Sequence, residues 1–382
     1  MKRILYIIPT LKPGGAEKAA ILVANYLVMH YSYDITFFVY DDSMYYRSLI
    51  DDRIHIIQIG EINTFVNKLF YWYYYYIDIG LKLFNSINIT EYDYVIAVHE
   101  QVPEVSVFWL WFLHLIRGKN IRKKLVSIIQ ISLFGLSHEK THISSRLLLS
   151  ILKFIRRYVF QSIVVLSKRE YNNLESSHNN ISIIPNPIDS KIMLKKNEDT
   201  NVLHHPYILF VARIVEQKNP MLLLKSFEQI YQRVNFNVIM IGHTVNSILY
   251  KKIVQFIYEK KLEKRISILG SVDDPYDYMV NAKAVLLSSN YEGLPLSLLE
   301  AMALHVPIIT TKYDGYEEYF NNQNAILVER NSEEDLARAL LLIESNKPNV
   351  QKRVTQAYDD CKKYNIDIIG EKYHQLFSGK TG

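Results

Sequence analysis

The sequence has a single cysteine, Cys361, among 382 residues. A disulfide framework is therefore excluded, and so is a zinc module built from several cysteines. Long uncharged apolar runs are also missing, since the longest candidates, Val105–Ile116 and Leu125–His138, fall short of the roughly 18 residues of a membrane-spanning helix. Only the short apolar run Ile4–Ile8 follows the first basic residues, so we expect no secretory signal. These absences indicate a cytosolic protein whose contact with a membrane, if any, is peripheral.

The composition is that of a folded protein with more than one domain. Apolar residues make up 49% of the chain and charged residues 22%, which is enough apolar material for sizeable cores. At roughly 100–200 residues per domain, the length predicts two domains. The net charge of +5 hides an uneven distribution, because the segment from Arg117 to Arg169 holds 12 lysines and arginines and one acidic residue, Glu139.

Short apolar runs alternate with helical patterns in both halves of the sequence. They predict buried parallel strands in the first half at Ile4–Ile8, Ile35–Tyr40, Ile54–Ile57, Tyr94–Val98, Leu125–Ile131 and Ser162–Leu166. In the second half they predict strands at Tyr207–Val211, Phe236–Ile241, Ile266–Leu269, Ala284–Ser288, Pro307–Thr310 and Ala325–Val328. The predicted fold class is α/β, with two doubly wound domains that face each other across a ligand-binding cleft.

Helices are predicted between the strands, and a polar stretch divides the two halves. Asn219 is expected to cap the helix that Pro220 opens, and another helix is expected to start at Pro295. We expect an N-terminal domain over residues 1–188, a linker over 189–205, a C-terminal domain over 206–363, and a last segment, 364–382, whose helix packs back on the first domain.

Glu292 and Glu300 are candidate ligand-binding carboxylates. A predicted buried strand runs into the loop of Glu292, Pro295 opens a helix, and Glu300 follows within about two turns. The backbone N–H groups of Gly293 and Leu294 lie at the helix start, which is a natural anion site. Carboxylates beside it can accept hydrogen bonds from sugar hydroxyls. Judged by spacing alone, a solvated loop glutamate and an ordinary helix glutamate would be the better interpretation.

Arg213 and Lys218 lie five residues apart between a predicted strand and a predicted helix start. Two cations on one loop can bind a diphosphate, the arginine as a bidentate fork and the lysine as a point charge. Such a pair stabilises the negative charge that develops on a departing nucleoside diphosphate. The alternative is a pair of ordinary surface cations.

The run Pro13-Gly-Gly-Ala-Glu17 follows the first strand and opens a helix. Gly14 and Gly15 allow close approach of a ligand to exposed backbone N–H groups. The spacing is not Gly-x-Gly-x-x-Gly, so the fingerprint of a nicotinamide dinucleotide site is missing. Glu17 either faces the ligand or is a first-turn residue favoured by the helix dipole, and the sequence leaves both interpretations open.

The run Glu292-Gly-Leu-Pro-Leu-Ser-Leu-Leu-Glu-Ala-Met-Ala303 resembles the E-x7-E signature of the retaining glycosyltransferase family four, also called glycosyl transferases group 1. That family has the GT-B architecture of two Rossmann-like domains. The resemblance implies that Glu292 contacts the donor sugar and that Glu300 binds the ribose of the sugar nucleotide. It also implies an N-terminal acceptor-binding domain and a C-terminal domain that binds the nucleotide sugar.

The remaining candidates follow from the same resemblance. It implies catalytic roles for Arg213, Lys218 and Glu292, and donor binding by Gly14, Gly15, Gly293, Leu294 and Glu300. No Asp-x-Asp pair occurs in the chain, so the usual metal–diphosphate motif of the other main transferase fold is missing. We therefore expect neither a metal ion nor a cofactor.

Acceptor recognition is expected in the first domain. His99 and Gln130 end predicted strands where these reach the cleft, and both are candidate contacts of the acceptor or the sugar. Many relatives carry a sugar-contacting histidine where this sequence has Gln130, which is a departure from the family. A merely hydrogen-bonded histidine is the alternative for His99. The segment around Asn186 resembles the one that closes the family's first domain, and we interpret it as structural.

A membrane-docking surface is a further hypothesis. Aromatic residues occur at Phe70–Tyr76 and Trp109–Phe112, and a basic cluster follows the second run directly. Interfacial aromatics and lysines or arginines both favour an anionic membrane surface. The candidate residues are Trp109, Trp111, Arg117, Arg122, Lys123 and Lys124. In the alternative interpretation the aromatics fill the core and the cations form a solvated face.

The sequence therefore predicts a retaining glycosyltransferase of the bacterial surface-polysaccharide type, located at the inner face of the cell membrane. Its expected partners are a UDP- or GDP-sugar, a saccharide acceptor linked to a polyprenyl diphosphate or other lipid, and the cytoplasmic leaflet. A GT-B-like sugar-nucleotide epimerase or hydrolase is one alternative. A non-catalytic sugar-nucleotide-binding or membrane assembly protein is the other. No nucleic-acid partner is expected.

Overall fold

The computed structural model describes residues 1–59, 71–99, 102–130, 143–178, 180–192, 205–272, 274–345 and 347–379, with the backbone alone at 71–76, 143–149 and 347. The chain forms two compact units. The first comprises Met1–Pro187 together with Ile366–Gly382, and the second comprises Ile188–Asn365. Most of the segment expected to be a linker, residues 193–204, lies outside the described residues.

The first unit is built on a parallel sheet of seven strands. In chain order these are β1 (Arg3–Ile8), β2 (Asp34–Val39), β3 (His55–Gln58), β4 (Tyr94–Val98), β5 (Leu125–Ile129), β6 (Ser162–Val165) and β7 (Ile181–Ile183). Their order across the sheet is β3-β2-β1-β4-β5-β6-β7. The chain therefore leaves the centre of the sheet in opposite directions from β1 and β4, which makes their carboxyl ends a topological switch point.

Helices cover both faces of this sheet. The described helices are α1 (Gly15–Tyr31), α2 (Tyr71–Ser86), α3 (Val102–Ile116), α4 (Ile143–Tyr158), α5 (Lys168–Leu174) and, from the C-terminus, α12 (Ile366–Ser378). Strand β1 shows why the strands are continuous apolar runs, because its residues are buried on both faces of the sheet. Tyr6 packs in the core beneath α1 and α12, while its neighbours Leu5 and Ile7 pack beneath α2, α3 and α4. Both faces of a parallel strand are buried in this way.

Helix α12 packs on α1. The Tyr26 hydroxyl donates to the Asp367 carbonyl oxygen at 3.3 Å. Gly370 lies directly beneath the Tyr26 ring, where a Cβ atom would come within 2.1 Å of a ring carbon. The rings of Tyr31 and His374 stack with their centroids 3.6 Å apart. Close packing of the two helices therefore requires a residue without a side chain at position 370.

The second unit is built on a parallel sheet of six strands: β8 (Tyr207–Val211), β9 (Asn237–Ile241), β10 (Ile266–Gly270), β11 (Ala284–Leu287), β12 (Ile308–Thr311) and β13 (Ile326–Val328). The order across the sheet is β10-β9-β8-β11-β12-β13, so that β8 and β11 flank the switch point. Its helices are α6 (Pro220–Glu228), α7 (Ser247–Glu259), α8 (Tyr276–Val280), α9 (Leu296–Ala303), α10 (Glu333–Ser345) and α11 (Lys347–Cys361).

The α/β fold class predicted from the sequence is confirmed, with two parallel sheets and helices between the strands. The expectation that the Asn219 side chain caps α6 was wrong. Asn219 adopts a left-handed backbone conformation with φ 44° and makes no side-chain cap. Its amide group donates instead to Asn331 at 3.0 Å, because the left-handed turn points the side chain away from the helix start.

Candidate functional site

The two loops at the switch point of the second sheet are joined by hydrogen bonds. One loop follows β8 and the other follows β11. The Asn290 N–H donates to the Gln217 carbonyl oxygen at 2.8 Å, and the Gln217 side chain donates back to the Tyr291 carbonyl oxygen at 2.9 Å. Ser288 donates to the carbonyl oxygen of Lys218 at 3.0 Å. These bonds make the two loops one rigid platform at the carboxyl edge of the sheet.

Lys218 and Glu292 meet across this platform. The Lys218 ammonium lies 2.5 Å from Oε1 of Glu292, and the two side chains are 14% and 7% exposed. The Ser289 hydroxyl donates to the same carboxylate oxygen, also at 2.5 Å. Thr311, at the end of the neighbouring strand β12, donates to the Ser289 carbonyl oxygen at 2.5 Å. The Glu292 carboxylate is therefore held in one orientation beside a cation that still reaches solvent.

Arg213 begins the same loop as Lys218 and is half-buried. Within the described part of the chain no carboxylate pairs with its guanidinium. Its backbone is fixed by Gly242, which follows β9 with φ +149° and lies so close that a Cβ atom would be 1.9 Å from the Ala212 carbonyl oxygen. The Ile214 N–H donates to the His243 carbonyl oxygen at 3.0 Å. A rigid loop thus holds an arginine available for an anionic ligand.

The start of α9 completes the platform. Pro295 occupies the N-cap position and no side chain caps the helix. The N–H of Gly293 has no hydrogen-bond partner among the described residues. The Leu294 side chain is 4% exposed and forms part of the buried wall behind the loop. Free N–H groups at a helix start favour a negatively charged ligand.

Glu300 lies on α9 and is 6% exposed. Its Oε1 accepts a hydrogen bond of 2.9 Å from the hydroxyl of Tyr276, the first residue of α8. Burial raises the pKa of Tyr276 well above 10, and the negative charge of Glu300 raises it further. Sequence reasoning missed Tyr276, because nothing in its own segment indicates that it reaches a residue 24 positions later.

Two further residues beside Glu292 were also missed. Ser289 lies three residues before Glu292 in the same loop, so its position was a usable signal. Tyr313 follows β12 and is fully buried, and its hydroxyl has no hydrogen-bond partner among the residues that the structure describes. Burial raises the pKa of Tyr313 well above 10, with a further contribution from the charge of Glu292. No feature of the sequence singled this tyrosine out.

The glycine loop of the first unit is partly occupied by its own side chains. The Gly14 N–H donates to the Tyr46 hydroxyl at 3.1 Å. The Glu17 carboxylate folds back over Gly14, where a Cβ atom would come within 2.1 Å of Oε2. Gly15 is exposed and begins α1. Glu17, 8% exposed, therefore acts as a first-turn residue of the helix in this structure.

His99 and Gln130 follow β4 and β5. His99 has φ +82°, and its N–H donates to the Ile128 carbonyl oxygen at 3.2 Å. Gln130 is 8% exposed and accepts a 3.0 Å hydrogen bond from the Asn186 amide. The side-chain amides of Gln130 and Asn186 line a cavity of about 10 Å³, which has room for about one water molecule and none for a sugar. Glu100, next to His99, lies outside the described residues.

Some of the membrane-docking candidates make contacts within the protein. Trp109 and Trp111 are half-buried, and Trp109 packs against Gly80. Lys124 donates to two backbone carbonyl oxygens, those of Thr90 and Tyr92.

The other cations of this cluster differ in exposure. The Arg122 guanidinium, half-buried, donates to the Arg157 carbonyl oxygen at 3.1 Å. Arg117 and Lys123 are exposed, and the Arg117 guanidinium lies 4.4 Å from the centroid of the Phe84 ring. Neither candidate tryptophan is among the large exposed apolar residues of α3 and α4. Among the described side chains of these helices, those residues are Phe112, Leu115, Ile116, Ile151, Phe154 and Tyr158.

Two features are missing from the described residues. They contain no helix long and apolar enough to cross a membrane. They also contain no group of three or more histidine, cysteine, aspartate or glutamate side chains placed to hold a metal ion. The aromatic run Phe70–Tyr76 adds nothing on this point, because its side chains lie outside the described residues.

The fold is one that solved structures share. Two parallel sheets with helices on their faces match solved glycosyltransferases of the GT-B fold, among them Anabaena Alr3699/HepE in complex with UDP and glucose. That structure superposes with a TM-score of 0.78 over 99% of this chain and 100% of the other, at 15% sequence identity. The likeness at this identity concerns the fold.

The sequence carries a family match in its second half. Residues 194–360 match the model of the family described as Glycosyl transferases group 1. An uncharacterized glycosyltransferase of Methanocaldococcus jannaschii, MJ1059, is 25% identical over 167 residues, which is 40% of each chain. A Campylobacter jejuni enzyme is 24% identical over 388 aligned positions and 99% of each chain. Its name is GalNAc-alpha-(1->4)-GalNAc-alpha-(1->3)-diNAcBac-PP-undecaprenol alpha-1,4-N-acetyl-D-galactosaminyltransferase. Together, family match and fold support a GT-B glycosyltransferase.

Proposed function

We propose that this chain is a retaining glycosyltransferase that moves a hexosyl or N-acetylhexosaminyl unit from a UDP- or GDP-sugar to a hydroxyl of a lipid-linked saccharide. The reaction would serve the synthesis of a bacterial O-antigen, capsule or lipopolysaccharide. The observation that carries the proposal is the switch-point platform of the second unit, where one loop carries both Arg213 and Lys218, and Lys218 pairs with Glu292 of the other loop.

The platform suits a diphosphate with a sugar attached. The arginine offers a planar fork of donors and the lysine a compact charge with three, both suited to phosphate oxygens. The Gly293 N–H adds a backbone donor at the start of α9. Glu292, against the Lys218 ammonium, accepts hydrogen bonds from the hydroxyls of the sugar next to the diphosphate. Glu300 accepts hydrogen bonds from the ribose.

The proposed reaction forms one C–O bond and breaks another. The acceptor hydroxyl oxygen attacks the anomeric carbon from the face that the diphosphate leaves, so the configuration is retained. The bond from that carbon to the diphosphate oxygen breaks, and its electron pair stays on the diphosphate. The proton of the hydroxyl passes to the departing phosphate. Arg213 and Lys218 stabilise the charge that develops there.

The comparisons support a nucleotide donor and a lipid-linked acceptor without naming either for this chain. The Campylobacter jejuni relative is named for a saccharide on PP-undecaprenol, and the solved Anabaena structure holds UDP. We assign donor binding to the second unit and acceptor binding to the first. Gly14 and Gly15, with His99 and Gln130, are the residues of the first unit proposed to lie nearest the substrates.

We further propose that the first unit docks peripherally on the cytoplasmic leaflet. The exposed apolar side chains at the end of α3 and along α4 stand beside exposed cations, among them Arg117, Lys153 and Arg157. The apolar side chains favour binding by entering the boundary region of a bilayer. Anionic lipids add about 1 kcal/mol of binding free energy per cation. Flotation with anionic liposomes at low salt tests this. Absence of binding at low salt would contradict docking.

A ligand screen with the full chain tests the donor. Binding of a nucleotide sugar to the folded state raises the apparent melting temperature, by an amount that grows with the logarithm of the ligand concentration relative to Kd. We expect UDP- or GDP-sugars to stabilise the wild type, and Glu300→Ala to lose that shift while remaining folded. Lys225→Ala is the matched control, because Lys225 is half exposed and pairs with Glu333 on the surface. No shift with any sugar nucleotide would refute the proposal.

Labelled donor, incubated with and without acceptor, separates the three kinds of protein that remain compatible with donor binding. Transfer that requires an acceptor supports the proposal. Conversion of the donor alone indicates an epimerase or hydrolase. Binding without any turnover across a panel of lipid-linked saccharides indicates a non-catalytic protein.

A further inference from the structure

Tyr276 lies against the carboxylate that the proposed function assigns to the ribose. Its hydroxyl is 2.9 Å from Oε1 of Glu300. Burial and the charge of Glu300 keep the phenol protonated, since both raise its pKa well above 10. The tyrosine hydroxyl is therefore the donor of this hydrogen bond and the Glu300 carboxylate the acceptor.

Two hydrogen bonds anchor the backbone of α8, the helix that carries Tyr276. At the start of the helix, the Tyr276 N–H donates to Oδ1 of Asp274 at 2.9 Å. Two residues further on, the carbonyl oxygen of Tyr278 accepts a 2.8 Å hydrogen bond from the hydroxyl of Tyr207 on β8. The short helix is thus tied to the same strand whose loop carries Arg213. A donor held in this way fixes the orientation of the carboxylate it contacts.

An oriented carboxylate can bind a ribose more tightly than a deoxyribose. A carboxylate accepts about four hydrogen bonds, and two neighbouring hydroxyls can bond to it together. We propose that Tyr276 is a positioning residue that orients Glu300 toward the 2′- and 3′-hydroxyls, so that the site selects ribonucleoside diphosphates over 2′-deoxyribonucleoside diphosphates. This inference rests on the proposed function, because it requires that a nucleoside diphosphate binds at Glu300.

Tyr276→Phe removes the hydroxyl and keeps the ring. Calorimetric titration of the full chain with UDP, 2′-deoxy-UDP, GDP and 2′-deoxy-GDP measures the selectivity. We expect the wild type to prefer its ribonucleotide by about tenfold or more, and Tyr276→Phe to reduce that preference to about twofold, because a misoriented carboxylate holds both hydroxyls poorly. Tyr258→Phe is the control, since Tyr258 is 73% exposed on α7.

A double variant separates positioning from a general structural role. If Tyr276 acts through Glu300, adding Tyr276→Phe to Glu300→Gln lowers the affinity for the ribonucleotide by less than about twofold further. Wild-type selectivity in Tyr276→Phe, or fully additive losses in the double variant, would overturn the inference and leave the proposed function standing. A wild type that binds none of the four nucleotides would refute the donor site itself, and the inference with it.

Discussion

Each of the two units contains a cation, a glutamate and a serine joined in one cluster, and the two clusters differ in geometry. In the first unit, Arg156 of α4 contacts Glu104 of α3 through two hydrogen bonds of 2.7 and 2.9 Å, and Ser127 of β5 donates to the same carboxylate at 2.7 Å. The arginine and glutamate side chains are 2% and 0% exposed. The cluster therefore ties two helices to the sheet.

The cluster of the second unit is open. Lys218 makes one contact with Glu292, its side chain is 14% exposed, and the pair lies at the carboxyl edge of the sheet. A fully buried arginine is out of reach of a ligand, whereas a partly exposed lysine has three donors and can contact a carboxylate and a phosphate together. A cation, a glutamate and a serine thus stabilise the fold in one unit and form the candidate site in the other.

The largest expected effect is on stability, from Arg156→Ala. It leaves the Glu104 carboxylate buried and unpaired, which lowers the free energy of unfolding by about 3–5 kcal/mol. Urea unfolding measures the loss. Replacing Arg156 and Glu104 together by leucine should recover more than half of it. A single variant as stable as the wild type would show that the pair does not tie the helices together.

Lys218→Ala should affect turnover. Loss of one cation beside the departing diphosphate is expected to lower the rate about 100-fold or more. The free energy of unfolding should fall by only about 1 kcal/mol, because the Lys218 side chain is partly exposed, so its removal lets water reach the Glu292 carboxylate. The measurement is donor-dependent transfer at saturating donor, with Lys225→Ala beside it. Near-normal transfer in Lys218→Ala would remove the site from this loop.

Two glycines with positive φ test how rigid the platform is: Gly242 holds the Arg213 loop, and Gly118, in the first unit, is the control. In Gly242→Ala the new Cβ overlaps the Ala212 carbonyl oxygen, so we expect a loss of about 2 kcal/mol or more and weaker nucleotide binding as the Arg213 loop shifts. In Gly118→Ala the Cβ meets open space, and only the backbone strain of φ +75°, about 1 kcal/mol, remains. Thermal unfolding and nucleotide titration of both variants check this. Equal stability of the two would contradict the overlap.

The smallest effects are expected from the two serines, and they should differ in kind. Ser127→Ala should lower the free energy of unfolding by about 2 kcal/mol and leave transfer unchanged. Ser289→Ala should lower transfer about tenfold, since Glu292 loses one of the bonds that orient it. Unfolding and transfer assays on both variants separate the effects. The comparison fails if both variants change the same quantity.

Much of the fold was predictable because it depends on local patterns. The strand expected at Tyr207–Val211 is found with those bounds, since an apolar run buried on both faces has few alternatives. The run expected at Leu125–Ile131 ends earlier, at Ile129, so that Gln130 follows the strand. The motif around Glu292 and Glu300 was visible for the same reason, because its loop and helix are continuous in sequence.

The contacts around these motifs were not predictable, because they join distant parts of the chain. Arg156 counts as one more cation of the basic segment, yet it is buried against a glutamate 52 positions earlier. Lys124 counts as a surface cation, yet its ammonium bonds to backbone carbonyl oxygens. Charge and spacing do not reveal which cation is desolvated, since that depends on the helix packed above it.

The amino-acid order by itself determined the two parallel sheets, the loop that carries Arg213 and Lys218, and the spacing of the two glutamates. Hydrophobic periodicity and turn residues act over a few positions, so they can be read along the chain. Only the tertiary structure decided that Tyr276 reaches Glu300, that Lys218 meets Glu292, and that one ion pair is sealed while the other stays open. Those outcomes follow from the order of strands in each sheet, which brings together residues that no local rule connects.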